Sequence, residues 1–198
     1  ALYSEKTAEI KTLKIGPWIK DRILLVDLGF YKTQLFARVE ENGGYFVSRI
    51  RKNMDPFIVS IENGILEKKR EEFIGKRVSE FTKQYSVEDL DAVVKIAFKR
   101  RAYKGKQRKD EMHVRLVATY NFEEEKYHIY ITNIHNDVLD VNDIAKLYGA
   151  RWEIELLFKE LKSGYALDEL NTKNVQVISA FIWTSILTLI VSRRLHNF

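Results

Sequence analysis

Apolar positions near the start of the chain follow first a strand pattern and then a helix pattern. Residues 22 to 30, RILLVDLGF, form a nearly continuous apolar run through Asp27, which is typical of a strand buried on both faces. Apolar residues then recur at helical spacing, with Thr33 as a candidate N-cap and Gly43 as a stop, before a second strand at 45 to 50. The pattern predicts a βαβ unit in a parallel or mixed sheet. In such sheets function lies beyond the carboxyl end of a strand, where Asp27 falls.

From about residue 53 to 135 the pattern changes to short stretches in which apolar and polar residues alternate. The clearest are DPFIVSIENG, DAVVKIAFKR, HVRLVATYNF and KYHIYITNI. Such alternation is typical of antiparallel strands with one buried face, and EEE at 123 to 125 indicates a hairpin turn. We interpret residues 53–135 as a β-rich insertion in an α/β core formed by residues 1–52 and 136–198.

The segment from residue 136 to 167 returns to helical spacing. Asp140 or Asn142 is its candidate cap, and Gly164 is its candidate stop. A final helix over about 174 to 195 contains the apolar run VISAFIWTSILTLIV, which is shorter than the roughly 18 to 20 residues that span a bilayer. The final helix is therefore predicted to be largely buried in the protein, and no membrane partner is expected.

Polar and charged side chains form one stripe along the first of these predicted helices. They are Tyr148, Arg151, Glu155 and Lys162. At 100° per residue the four positions lie within about 60° of one another, and apolar residues gather on the opposite side in an arc suited to a core. The apolar residues are Leu147, Ala150, Ile154, Leu157, Phe158 and Leu161. The ordinary explanation is a solvated face with charge pairs such as Glu155 with Lys159.

Composition and charge exclude some classes of protein and indicate a class of binding partner. Hydrophobic residues make up 45% of the chain, enough for a sizeable core, and the absence of cysteine excludes a disulfide framework and a thiol nucleophile. The net charge is +5, and residues 99 to 109, KRRAYKGKQRK, hold seven basic residues. Such a segment attracts polyanions, with Arg100, Arg101 and Lys104 as candidate contacts, although a solvated loop without a partner is the alternative.

Asp27 and Glu155 are the carboxylates on which chemistry would depend. At a strand end, Asp27 could be a phospho-acceptor, a metal ligand or a cap for the next helix, and Glu155 could be a salt-bridged surface carboxylate. Alternatively, the two acids are hard oxygen ligands of the kind that Mg²⁺ takes, and the flanking cations Arg151 and Lys162 suit phosphate oxygens. Phosphodiester chemistry through two metal ions requires several carboxylates that converge on one point.

The stripe resembles a known family pattern. Tyr148, Arg151, Glu155 and Lys162 match the Y-x2-R-x3-E-x6-K signature of DDE transposases of the insertion sequence four family. LLVDLGFYKTQLFARVEENGGYFVSRI is similar to the block that holds the family's second catalytic aspartate, and VRLVATYNFEEEKYHIYITNI is similar to the strands before its glutamate helix. The resemblance extends from about residue 20 to 195, and the chain is identified as the carboxyl-terminal part of such a catalytic domain.

The resemblance implies an α/β fold of the ribonuclease H-like type, a mixed sheet interrupted by a β-rich antiparallel insertion. Asp27 would be the second catalytic acid and Glu155 the third. The first acid should lie on an earlier strand, and Asp21 is too close to Asp27 because it precedes the same strand. We therefore expect the amino-terminal strands to be missing, the fragment to be inactive alone, and another chain or segment to cover its open sheet edge.

By the same resemblance, the protein would cut DNA at transposon ends and carry out strand transfer. Two Mg²⁺ or Mn²⁺ ions would be bound with Asp27 and Glu155 as ligands. The implied partners are the terminal repeats, the target DNA and a second copy of the protein in a homodimer on paired ends. The cytoplasm of a bacterial or archaeal cell, in association with the nucleoid, is the expected location.

The expected DNA contacts fall in two places, the stripe and the basic segment. They are Tyr148, Arg151, Trp152, Lys159 and Lys162 on the stripe, and Arg100, Arg101 and Lys104 on the basic segment. One rival hypothesis is a DNA-binding remnant of a transposase without catalysis. Another is a structural or protein-interaction domain, in which both groups of cations would be accidental.

Overall fold

The computed structural model divides into two compact units, one ending at Tyr148 and one beginning at Gly149. It describes residues 13–63, 69–85, 88–100, 106, 108–165 and 172–196.

Among the described residues, the first unit contains the sheet and four α-helices, and the second contains two α-helices. The strands are β1 (Ile23–Val26), β2 (Tyr45–Arg49), β3 (Phe57–Asn63), β4 (Leu90–Lys99), β5 (Lys109–Asn121) and β6 (Lys126–Thr132). The helices of the first unit are α1 (Thr33–Glu41), α2 (Arg70–Phe73), α3 (Val78–Gln84) and α4 (Val141–Gly149). The second unit has α5 (Arg151–Tyr165) and α6 (Val175–His196).

The six strands form one mixed sheet in the order β1-β2-β6-β5-β4-β3. β1 and β2 are parallel, with Ile23 opposite Tyr45, and every other pair is antiparallel. The predicted mixed sheet and the antiparallel strands of residues 53 to 135 are thus confirmed. These strands extend the sheet of the βαβ unit directly, because β6 pairs with β2 through Val47 and Thr132. That residues 53–135 are an insertion stays a prediction.

The predicted βαβ unit is present, with one correction at its helix. Thr33 is the first residue of α1 and not its cap, since Lys32 occupies the cap position without a side-chain cap bond. The backbone N–H of Leu35 bonds to the carbonyl of Lys32 at 2.8 Å. Gly43 stops the helix as predicted: its φ is 69°, and its N–H donates to the Glu40 carbonyl at 2.9 Å.

Helices cover both faces of the sheet because successive strand residues point to opposite sides. On one face Phe46 stacks against Phe36 of α1, with ring centroids 4.6 Å apart, in the larger core cluster that also includes residues of α2 and α3. On the other face Val47, Val117 and Tyr130 pack with α4 in a smaller cluster. The sheet is therefore the shared wall of two cores.

A buried ion pair ties the second face of the sheet to the segment before α4. Arg115 on β5 donates to both carboxylate oxygens of Asp91 on β4, at 2.7 and 2.8 Å. Its remaining terminal nitrogen donates to the carbonyls of Ile134 and Leu139, at 3.2 and 2.7 Å. One guanidinium thus fixes two strands and the approach to α4, which Asp140 caps by accepting from the Asp143 N–H at 2.8 Å.

The expectation that the final helix is largely buried is wrong for the described chain. On α6 the side chains of Trp183 and Leu187 are 63% and 61% exposed, while Ser185 and Leu189 are buried. The reason is that, among the described residues, α6 packs mainly against α5 of its own unit, and a single main neighbour covers only one stripe of a helix. Residues Val175–Leu195 are also long and apolar enough to cross a membrane, although a single helix of this kind is weak evidence for a span.

Replacing Arg115 with Met should destabilise the protein by about 3 to 5 kcal/mol, because the Asp91 carboxylate would stay buried without its cation. Chemical unfolding should show the loss as a lower denaturant midpoint. Lys95→Met is the matched control on the same strand pair, because Lys95 pairs with Glu111 at 2.7 Å on the surface and should cost less than about 1 kcal/mol. Equal losses for the two variants would contradict the role of the buried pair.

Replacing Gly44 with Ala should also destabilise the protein, here by about 1 to 3 kcal/mol through overpacking. A Cβ at Gly44 would lie 2.6 Å from Cγ1 of Ile19 and 2.8 Å from its backbone oxygen. Gly149→Ala is the control, since a Cβ there meets nothing within 4 Å, and it should change stability by no more than about 1 kcal/mol in the stabilising direction. Thermal melts of the two variants compare them directly.

Candidate functional site

Asp27 follows β1 directly, at the carboxyl end of the parallel pair, as the sequence predicts. It is exposed, and it begins a short 3-10 turn over Leu28–Phe30, where its carboxylate accepts from the Gly29 N–H at 3.4 Å. The cap hypothesis is thus correct in kind, but the capped element is this turn and not α1. The carboxylate stays at the surface of the strand end, where an external group can reach it.

The single helix predicted through residue 150 is wrong, and so is the single stripe. α4 ends at Gly149 and α5 begins at Arg151, with Ala150 in a turn between them. Glycine is a poor helix former, and Tyr148 is buried in the smaller core cluster, with its ring 5.3 Å from that of Tyr130. The structure therefore places Tyr148 in a core and on a different helix from the other stripe residues.

The remaining stripe residues share α5. Arg151 and Glu155 form an i,i+4 ion pair in which the guanidinium donates to the carboxylate. Trp152, Lys159 and Lys162 are exposed. The expected charge pairing of this face is present, but the partner of Glu155 is Arg151, where the sequence suggested Lys159.

The apolar side of α5 is only partly covered. Leu161 is buried, whereas Ile154 and Phe158 are 51% and 56% exposed. The prediction that this arc faces a core is wrong for most of its length in the described chain. Within the second unit, Arg193 of α6 pairs with Glu160 of α5 at 2.6 Å.

Within the basic segment, Arg100 is paired with two carboxylates. Arg100 pairs with Glu41 at 2.6 Å and with Asp110 at 2.5 Å. The hydrogen bond from Arg100 lowers the pKa of Asp110, which keeps that carboxylate ionised. The other two predicted contacts, Arg101 and Lys104, lie outside the described residues.

A second group of cations, which the sequence interpretation missed, lies at the carboxyl end of β2. Arg49, Arg51 and Lys52 contribute to the lining of an open cavity of about 470 Å³, beside the turn that follows Asp27. Arg51 donates to the Leu28 carbonyl at 3.2 Å and lies 5.2 Å from the ring centre of Tyr31, whose pKa burial raises to about 12. The run RIRKN, which begins inside the second predicted strand and continues past its end, was the available signal.

The chain is similar to transposases of insertion sequence elements. Residues 4–191 match the family model of the transposase DDE domain. The chain is 26% identical to the transposase for insertion sequence element IS1151 of Clostridium perfringens, over 92% of this chain and 43% of the relative. It is 22% identical to the transposase for IS231F of Bacillus thuringiensis subsp. israelensis, over 82% of this chain and 39% of the relative.

A third relative matches a shorter part of this chain. A putative transposase, InsL, for insertion sequence element IS186A of Escherichia coli K12 is 33% identical over 37% of this chain. The chain spans less than half the length of each of these curated relatives, 43% at most. Because the family model covers nearly all of its residues, the chain belongs to the transposase DDE domain family.

Proposed function

We propose that the chain is part of the catalytic domain of a DNA transposase that cleaves phosphodiesters at transposon ends and carries out strand transfer. The observation that carries the proposal is Asp27 at the carboxyl end of the parallel pair, in a chain that belongs to the DDE family over residues 4–191. The relatives named above are transposases for insertion sequence elements. The Y-x2-R-x3-E-x6-K pattern supports the same proposal from the sequence.

Asp27 and Glu155 are the proposed metal ligands. DDE transposases generally use divalent metal ions, and carboxylate oxygens are the ligands that Mg²⁺ or Mn²⁺ takes, so the donor chemistry fits. Within the described ranges no group of three or more His, Asp or Glu side chains could hold a metal ion. When bound, the ions would supply Lewis-acid activation of the phosphodiester.

The chain's own contribution near Glu155 is to orient that carboxylate and to bind phosphates. Arg151 holds Glu155 by their ion pair and keeps its own charge one turn away on α5. Lys159 and Lys162 are exposed cations, and Trp152 offers a flat apolar surface 57% exposed, on which a base can stack. Tyr148 also stays a proposed DNA contact, although its ring packs in the core.

The proposed partners follow from the same chemistry. They are the terminal repeats, the target DNA and a second copy of the protein on the paired end, in the cytoplasm with the nucleoid. Transposases act on DNA, and the net charge of +5 favours a polyanion.

A second candidate is a DNA-binding remnant without catalysis. The observation in its favour is the Arg151–Glu155 ion pair, which gives Glu155 the place of an ordinary surface carboxylate. In that case α5 would still bind DNA, but Glu155 would have no catalytic role.

Glu155→Gln should abolish DNA nicking while leaving the fold intact, in a protein that joins this chain to the upstream segment of its transposase. Mutation of a residue that only hydrogen-bonds to a metal ligand typically lowers metal affinity or activity by about 10- to 100-fold. Loss of a ligand itself should cost more, so we expect the nicking rate to fall by at least about 100-fold. Nicking of a duplex carrying the transposon ends, with Mg²⁺ and with a chelator, measures it. Glu153→Gln on the exposed face of α5 is the matched control and should cut normally. Unchanged nicking by Glu155→Gln would refute the assignment and leave the remnant hypothesis.

Arg151→Ala should weaken DNA binding and lower the slope of log affinity against log salt by about one, because one phosphate contact is lost. Titration of a labelled duplex at several salt concentrations measures both effects. Lys146→Ala on α4 removes an exposed cation outside the stripe and should leave the slope unchanged. An identical slope for the two variants would remove Arg151 from the DNA contacts.

A further inference from the structure

Ser48 is a fully buried polar residue near the carboxyl end of β2. Its side chain lies on the same face of the sheet as Phe46, because the two residues are two positions apart on one strand. Phe46 belongs to the larger core cluster. A hydroxyl in apolar surroundings costs free energy unless it is hydrogen-bonded, and an alanine would fill nearly the same space. Packing alone therefore does not account for a serine at this position.

The Ser48 hydroxyl reaches the carbonyl that immediately precedes Asp27. Its oxygen lies 2.9 Å from the backbone oxygen of Val26 and 3.1 Å from that of Arg49, so its one hydrogen is donated to either or shared between them. Val26 and Ser48 are also the last pair in the parallel register of β1 and β2. The Val26 carbonyl and the Asp27 N–H belong to one planar peptide unit. The hydroxyl therefore holds the peptide from which Asp27 begins.

The backbone that follows Asp27 is held as well. The Phe30 N–H donates to the Asp27 carbonyl at 2.9 Å, and the Arg51 guanidinium donates to the Leu28 carbonyl at 3.2 Å. The Asp27 side chain itself is exposed. An exposed side chain has few packing contacts, so the direction of its carboxylate depends strongly on the backbone that carries it.

We propose that Ser48 is a positioning residue for Asp27, whose hydroxyl fixes the Val26–Asp27 peptide so that the carboxylate is presented in one direction to a divalent metal ion. The proposal rests on the proposed function, in which Asp27 is a metal ligand, and deepens it by assigning a residue that acts through the backbone. Ser48 does not touch the carboxylate, so its effect should be smaller than that of a direct partner of a ligand. We expect a change of about three- to tenfold in metal affinity.

Thr132 on β6 provides a matched control. It is also fully buried, and its hydroxyl donates to the Phe46 carbonyl at 2.6 Å and accepts from the Ile134 N–H at 3.0 Å. Like Ser48→Ala, Thr132→Val removes a buried bond between a hydroxyl and the β2 region with little change in volume. The carbonyl concerned belongs to a residue two positions further from the carboxyl end of β2. Thermal melts should show a loss of stability at least as large as that of Ser48→Ala.

Hydrogen exchange of the chain tests the positioning without metal or DNA. The amide of Phe30 reports on the turn, because its N–H donates to the Asp27 carbonyl. In Ser48→Ala this amide should exchange about threefold faster or more, relative to the amides of β5, and in Thr132→Val the same ratio should stay unchanged. Ser48→Thr, which keeps the hydroxyl, should restore the exchange rate. An equal ratio in Ser48→Ala and Thr132→Val would overturn the positioning role.

Titration with Mn²⁺ connects the positioning to the metal, in the protein that joins this chain to its upstream segment. Without DNA, Ser48→Ala should weaken Mn²⁺ binding by about three- to tenfold, Ser48→Thr should restore it, and Thr132→Val should bind as the unmodified protein does. Equal weakening in Ser48→Ala and Thr132→Val, or none in either, would overturn the proposal. If Ser48→Ala does not fold, Ser48→Cys takes its place, since a thiol is a weaker donor than a hydroxyl.

Asp27→Asn separates the failure of this proposal from the failure of the proposed function. Unchanged Mn²⁺ binding by Asp27→Asn would overturn the ligand role of Asp27, even if hydrogen exchange shows that Ser48 holds the turn. Loss of Mn²⁺ binding by Asp27→Asn, together with equal behaviour of Ser48→Ala and Thr132→Val, would leave the proposed function in place and overturn the role of Ser48.

Discussion

The buried ion pair between Asp91 and Arg115 is the constraint on which the second face of the sheet depends. Removing two charges from water is costly. The cost is offset here because both carboxylate oxygens of Asp91 accept hydrogen bonds from the Arg115 guanidinium. That arrangement also fixes the carbonyls of Ile134 and Leu139, immediately before the Asp140 cap. This polar contact thus positions the start of α4, and the position of α4 in turn places Tyr148 in the core. Apolar packing alone is less directional and would not fix the start of the helix in this way.

The sequence predicted correctly several features that depend only on residues close together in the chain. Asp27 at a strand end, the stop at Gly43 and the cap at Asp140 each depend on a few neighbouring residues, and all three are confirmed. The core position of Tyr148 depends on a contact with a distant residue, and the exposure of α6 depends on how much of its surface other helices cover. Tyr148 packs on Tyr130 of β6, and nothing in its own segment reveals that partner.

In the candidate site, too, the sequence predicts relations between residues on one helix but not contacts between residues far apart in the chain. Spacing on α5 correctly grouped Arg151, Glu155 and Lys162, because three positions on one helix have a fixed angular relation. It could not reveal that Arg100 is neutralised by Glu41, a residue of α1 far away in the chain. The cations at the end of β2 are neighbours in the sequence, but the cavity that they help to line also requires residues of α3 and β6, which the sequence does not reveal.

The strand order has a consequence for how the molecule is made. β2 lies between β1, its neighbour along the chain, and β6, which is synthesised only after β3, β4 and β5. Loop-closure entropy delays contacts of this kind, so the ribosome must deliver the β5–β6 hairpin before β2 gains its second partner. Until then the nascent βαβ unit exposes an unpaired edge of β2 and depends on protection from premature association.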